Sequence, residues 1–191
     1  AIDAAVSAVG QLPLHALGGS GRKVSALVGA TDWPSDVIEA GLRCGCNYWH
    51  KAQRFQLQPD PANERLRKTP AKLIEQREAF LCEVGVDRER GNHETGVIDE
   101  EAHYRFVKEA VATSGLRYFD DFIFHFGFHT VDEYRRERGV VRAFERLKKE
   151  GLVRHLGLTQ HSYSGNAKVP GGQSAPEVLA AVMADGLFEH A

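Results

Sequence analysis

The chain has 191 residues, of which 42% are hydrophobic and 26% charged, the composition of an ordinary globular domain long enough to bury one real core. Its 24 Lys and Arg against 26 Asp and Glu leave a net charge of -2, which argues against the basic face that nucleic acid or an anionic membrane surface requires. No apolar run approaches the roughly 20 residues of a membrane span.

The N-terminal stretch AIDAAVSAVGQLPLHALG has no basic n-region, so it is not an intact signal peptide. The start at Ala1 leaves a trimmed exported form and a piece of a longer protein both open. GGSG (18–21) is flanked by apolar LPLHAL and KVSALV and reads as a hairpin turn over about 12–25. A phosphate cradle there would need a strand before it and a helix after it. KVSALVGAT (23–31) reads as a strand. SDVIEAGLRCG (35–45) reads as a helix with Ser35 as N-cap and Val37, Ile38 and Leu42 inward. CGCNYW (44–49) reads as the next strand, with Cys44 and Cys46 on one face. Together with Cys82 they make three thiols without framework spacing, read as buried and unpaired, which points to the cytoplasm.

The polar stretch 59–76 reads as a short helix and loop broken at Pro70, AFLCEVGV (79–86) as a buried strand and 87–96 as a polar loop. The clearest helix is 99–115: Asp99 and Glu100 suit the positive end of its dipole, His103, Phe106, Val107, Ala110 and Val111 recur at helical spacing, and Gly115 stops it. A strand over 118–128, a helix over 140–151, a strand over 153–161 and a helix over 175–186 follow, and LFEHA begins a further strand. Alternating strands and helices signify a parallel sheet of βαβ units in a single domain over 1–191. The periodicity fits a doubly wound sheet or about two-thirds of a (β/α)8 barrel, which normally takes about 250 residues. No glycine-rich dinucleotide fingerprint is present.

In parallel α/β folds the chemistry gathers at the C-terminal ends of the strands. His50, Glu83, His125 and His161 stand at or near four consecutive strand ends, with Lys51, Thr159 and Gln160 beside them. Imidazoles relay protons near neutral pH. Histidines with a carboxylate also bind Zn or Fe, so His50, Glu83, His125 and His161 form an alternative metal set, although they lack the short-range ligand pairs of metal motifs.

LPLHALGGSGRKVSALVGAT, AGLRCGCNYWHKAQRF, REAFLCEVGV, SGLRYFDDFIFHFG and FERLKKEGLVRHLGLTQHS occur in that order. Taken together they resemble the N-terminal two-thirds of an aldo-keto reductase. The resemblance implies a (β/α)8 TIM barrel, an NADPH cofactor and reduction of a carbonyl to an alcohol in a small-molecule substrate. The family's Asp, Tyr, Lys and His tetrad falls on His50, Phe55, Glu83 and His125, so only the His is kept and Phe55 has no proton to give. A slip of one position would match Lys51 instead of His50. Thr159 and Gln160 stand where the family holds the nicotinamide amide.

These departures imply a rebuilt acid–base site of His50, Lys51, Glu83 and His125, in which a Glu83–His50 pair is mutually stabilising. A non-catalytic ligand-binding or interaction barrel, and a metal-dependent enzyme, are the alternatives. The family's adenine and 2′-phosphate contacts come from strands beyond this chain. An unclosed parallel sheet exposes an edge, so a longer protein is expected.

Overall fold

A computed structural model describes residues 2–31, 33–51, 69–88 and 93–191. Helix α1 (Ile2–Val9) leads into an antiparallel hairpin of β1 (Leu14–Ala16) and β2 (Lys23–Ser25), in register Leu14↔Ser25 to Ala16↔Lys23. The hairpin read from GGSG is therefore present. The five strands β3 (Gly29–Ala30), β4 (Tyr48–Lys51), β5 (Leu81–Val86), β6 (Asp121–Phe124) and β7 (His155–Leu158) pair in sequence order, all parallel. A doubly wound sheet reverses its strand order at a switch point. This sheet never reverses, and so it is an arc of a (β/α)8 barrel. A parallel bridge from Gly157 to His190 begins a further strand on β7.

The connecting helices are α2 (Ser35–Arg43), α3 (Ala71–Glu75), α4 (Glu100–Ser114), α5 (Val131–Arg136), α6 (Gly139–Lys149) and α7 (Ala175–Ala184). Strand residues that face the helices build the apolar core: Trp49, Cys82, Val84, Phe122, Phe124, Leu156 and Leu158 pack with Val107, Ala110, Val140, Leu147, Val178 and Val182. Alternation then turns Tyr48, His50, Glu83, Gly85, Asp121, Ile123 and Gly157 to the barrel interior. Barrel interiors are normally layered with Val, Ile and Leu. Here Tyr48, His50, Glu83 and Asp121 bring charged and polar groups into the interior beside Gly85, Ile123 and Gly157.

Local chemistry explains the best-formed helix. Asp99 accepts a 2.7 Å hydrogen bond from the Ala102 N–H at the start of α4, and Gly115 ends it in the left-handed region at φ 78°. Asp99→Ala should lower stability by about 1 kcal/mol, read as a lower denaturant midpoint at unchanged m value.

Several sequence expectations are corrected. The strand expected over 23–31 is two strands, because the chain leaves the hairpin and joins the barrel there, with Leu27 and Val28 exposed between them. Pro34 rather than Ser35 occupies the cap position of α2. Cys44 and Cys46 precede the strand: Cys44 caps α2 and Gly45 turns at φ 80°, though all three thiols are buried as expected. Helices α1 and α5 were not anticipated. Arg88 lies in the expected polar loop yet is buried, donating to both Glu133 carboxylate oxygens at 2.8 Å and to the Gly127 carbonyl at 3.0 Å. Among the described residues no helix is long and apolar enough to cross a membrane.

Candidate functional site

The parallel register sets His50 of β4 opposite Glu83 of β5, and Tyr48 shares their interior face two residues earlier. His50 Nδ1 lies 2.6 Å from Glu83 Oε1, and the Tyr48 hydroxyl donates to Glu83 Oε2 at 2.8 Å. The expected Glu83–His50 pair is thus in contact. Tyr48 completes it by engaging the second carboxylate oxygen. A carboxylate only accepts, so His50 donates through Nδ1 and presents Nε2 away from Glu83.

Burial raises the Glu83 carboxyl pKa, but the hydrogen bonds from His50 and Tyr48, together with the charge of His50, outweigh it and hold Glu83 below the usual carboxylate range. Burial and the neighbouring Glu83 charge push the Tyr48 phenol strongly upward, so Tyr48 stays protonated and acts as a donor. The sign of the linkage follows. A carboxyl with a depressed folded-state pKa contributes stability that is fully present above its unfolded value of about 4.3 and is lost as pH falls through the lower folded value. The stability advantage of the wild type over Glu83→Gln should therefore be constant near neutrality and shrink below about pH 4, measured as the gap in Tm across an acid pH series.

His125 follows β6 and sets its ring edge-on to His50, with centroids 5.4 Å apart and planes at 80°. Its Nδ1 is 3.3 Å from Thr159 Oγ1, which also accepts from the Phe126 N–H at 3.0 Å. The ring fits because the neighbouring strand carries Gly85: an added Cβ would lie 1.8 Å from His125 Nε2. Thr159 is exposed at the end of β7. Gln160 is not open in the same way. Its Oε1 accepts from the Phe128 N–H at 3.0 Å, and its Nε2 donates to the Phe128 and His161 carbonyls, both at 2.7 Å. Its amide ties the end of β7 to the turn after β6, and of the two side chains only that of Thr159 lies exposed.

His161 stands apart from the pair. Its ring meets Phe126 edge-on at 4.5 Å and lies 6.1 Å from His93, while His93 stacks on Phe126 at 4.3 Å. Phe126 holds a positive φ of 63° directly after His125. Among the described residues no group of three or more His, Cys, Asp or Glu side chains is arranged to hold a metal ion, so His50, Glu83, His125 and His161 do not assemble as ligands. The backbone of Lys51 ends β4. The Lys51 side chain and Phe55 lie outside the described residues.

Deeper in the interior, Asp121 is fully buried and receives two hydrogen bonds from Arg22, at 2.9 and 2.7 Å. This pair, which sequence reasoning missed, pins the hairpin to the start of β6. The spacing of Tyr48 and His50, two apart in a strand, was the available signal for Tyr48. No local signal links Arg22 to a residue 99 positions away.

No family model and no curated protein matches the chain. Solved structures do. An aldo-keto reductase from Bacillus halodurans in its holo form superposes with a TM-score of 0.59 at 22% identity, over 80% of this chain and 51% of that one. The fold is that of the aldo-keto reductases. The thermostable aldo-keto reductase Tm1743, in complex with the inhibitor epalrestat, gives a TM-score of 0.58 at 14% identity over 89% of this chain. A provisionally assigned aldo-keto reductase of Pseudomonas aeruginosa gives 0.60 at 20% identity over 85% of this chain. The chain spans 51%, 58% and 66% of the lengths of these three structures. His125 and Thr159 directly follow β6 and β7, at the C-terminal ends where catalytic groups gather in such barrels, and His50 is next to last in β4. Glu83 lies deeper than expected, in the middle of β5, and Tyr48 is the first residue of β4.

Proposed function

We propose that the chain carries the acid–base site of an aldo-keto-reductase-type oxidoreductase that interconverts a carbonyl and an alcohol with a nicotinamide cofactor, NADPH by resemblance. The observation that supports it is the carboxylate-held imidazole: Glu83 grips Nδ1 of His50 at 2.6 Å at the end of β4. When bound, the cofactor supplies hydride to the carbonyl carbon. His50, as an imidazolium, gives its Nε2 proton to the developing alkoxide, and Glu83 stabilises the cation beforehand. Tyr48 keeps Glu83 from turning away. His125 borders the carbonyl, and Thr159 meets the carboxamide while Gln160 braces the strand end.

The test is a fluorescence titration of NADPH, followed by NADPH oxidation with a panel of aldehydes and ketones. Saturable binding and turnover are expected. Absence of binding at saturating NADPH would remove the reductase reading and leave a ligand-binding barrel.

A further inference from the structure

We propose that the Glu83–His50 pair also removes and returns the α-proton of a carbonyl compound, an enolisation that needs no cofactor. It rests on the carbonyl-binding half of the function proposed above and not on its nicotinamide half. Three groups meet on two adjacent strands: His50 next to last in β4, Tyr48 at its start and Glu83 in the middle of β5. His50 donates through Nδ1 to Glu83 at 2.6 Å, so in the neutral ring the lone pair lies on Nε2. The Tyr48 hydroxyl holds the other carboxylate oxygen at 2.8 Å and fixes the direction of that pair. His50 is 24% exposed and Glu83 only 14%, so the imidazole borders the mouth while its carboxylate is screened from water. The His125 ring stands beside His50, and Thr159, exposed at the next strand end, touches His125 through its hydroxyl.

A neutral imidazole set by a carboxylate is a general base by the same geometry that makes its cation an acid. The base and the hydroxyl donor both border the His125 ring, whose centroid lies 5.4 Å from that of His50 and whose Nδ1 lies 3.3 Å from the Thr159 hydroxyl. In the step, the α-C–H bond breaks and its proton moves to His50 Nε2. The electron pair forms the C=C bond, and the carbonyl π pair moves to the oxygen, where the Thr159 hydroxyl donates a hydrogen bond. The reverse step returns a proton, exchanged with solvent on Nε2, to carbon. Nothing is oxidised or reduced. The substrate class is an aldehyde or ketone with an exchangeable α-C–H, such as an α-hydroxy ketone.

The experiment follows loss of the C–H proton signals of hydroxyacetone in D2O by NMR, with the full chain and no nicotinamide. Saturable exchange is expected, lowered by about 10²- to 10⁴-fold in His50→Gln and by roughly tenfold or more in Glu83→Gln. Circular dichroism checks the fold of each variant. Should His50→Gln fail to fold, the shift of the wild-type His50 ring resonances on adding hydroxyacetone replaces it, and no shift would overturn the proposal. Wild-type exchange no faster than that of equimolar imidazole, or a His50→Gln rate equal to wild type, would also overturn it. Exchange without NADPH oxidation removes the reductase reading alone, and NADPH oxidation without exchange removes the enolisation alone.

Discussion

Replacing His50 with glutamine should lower kcat for carbonyl reduction by about 10²- to 10⁴-fold, the usual contribution of a positioned acid or base. Glutamine can still donate to Glu83 through its amide, so the packing of the pair is retained while the transferable proton is lost. On the proposed function the effect should fall on kcat with little change in the KM for NADPH, because that reading sets His50 against the carbonyl and gives it no dinucleotide contact. Steady-state kinetics on the wild type and the variant separate the two. A variant with unchanged kcat would move the proton donor to another group, since Tyr48 is locked as a donor to Glu83 and its phenol is pushed away from physiological pH.

The second large effect is on folding. Arg22→Ala should destabilise the protein by about 3–5 kcal/mol, because it leaves the fully buried Asp121 without its cation. For a chain of this size that corresponds to a fall in Tm of roughly 6–20 °C, readable by thermal unfolding. The paired variant Arg22→Met with Asp121→Leu should recover most of the loss, since replacing both members by apolar groups removes the buried charge altogether. His190 adds a pH dependence. Its Nε2 lies 3.6 Å from Asp121 Oδ1, and burial lowers its pKa, with Asp121 pulling it up and Arg22 pushing it down. Removing Arg22 removes that downward push. A protonated His190 then partly replaces the lost cation, and the penalty should shrink as pH falls from 8 toward about 6. A penalty independent of pH would rule His190 out as the substitute.

The contrast between Glu83 and Gln160 shows how far residue identity reaches. Both stood beside predicted strand ends, and both departed from the expected residue. The register of β4 and β5 brings Glu83 to His50, which supports a rebuilt acid–base pair. The same level of reading offered Gln160 as an amide ligand, yet its side chain is engaged by the main chain of the turn after β6. Donor and acceptor types are visible in a sequence, whereas the partners that already satisfy them are not.

Local signals carried the architecture. Helix α4 was legible because its cap, its apolar spacing and its terminal glycine all act within a few residues of one another. The strands from β5 onward were legible as apolar runs of the right length, and the alternation of strand and helix led to a parallel sheet. The split of 23–31 was not legible, because what divides it is that β2 pairs with β1 and β3 pairs with β4.

The sequence by itself determined the alternation of elements, the hairpin before them and the titratable groups on or after the strands, since each depends on short-range periodicity and turn chemistry. Tertiary structure alone decided three things: that the strands follow one another without reversal, that Tyr48 and His50 converge on one carboxylate, and that Arg22 meets Asp121. Each of these rests on register between strands or on contacts far apart in the chain, and register is set by how whole elements pack, which no short window of residues contains.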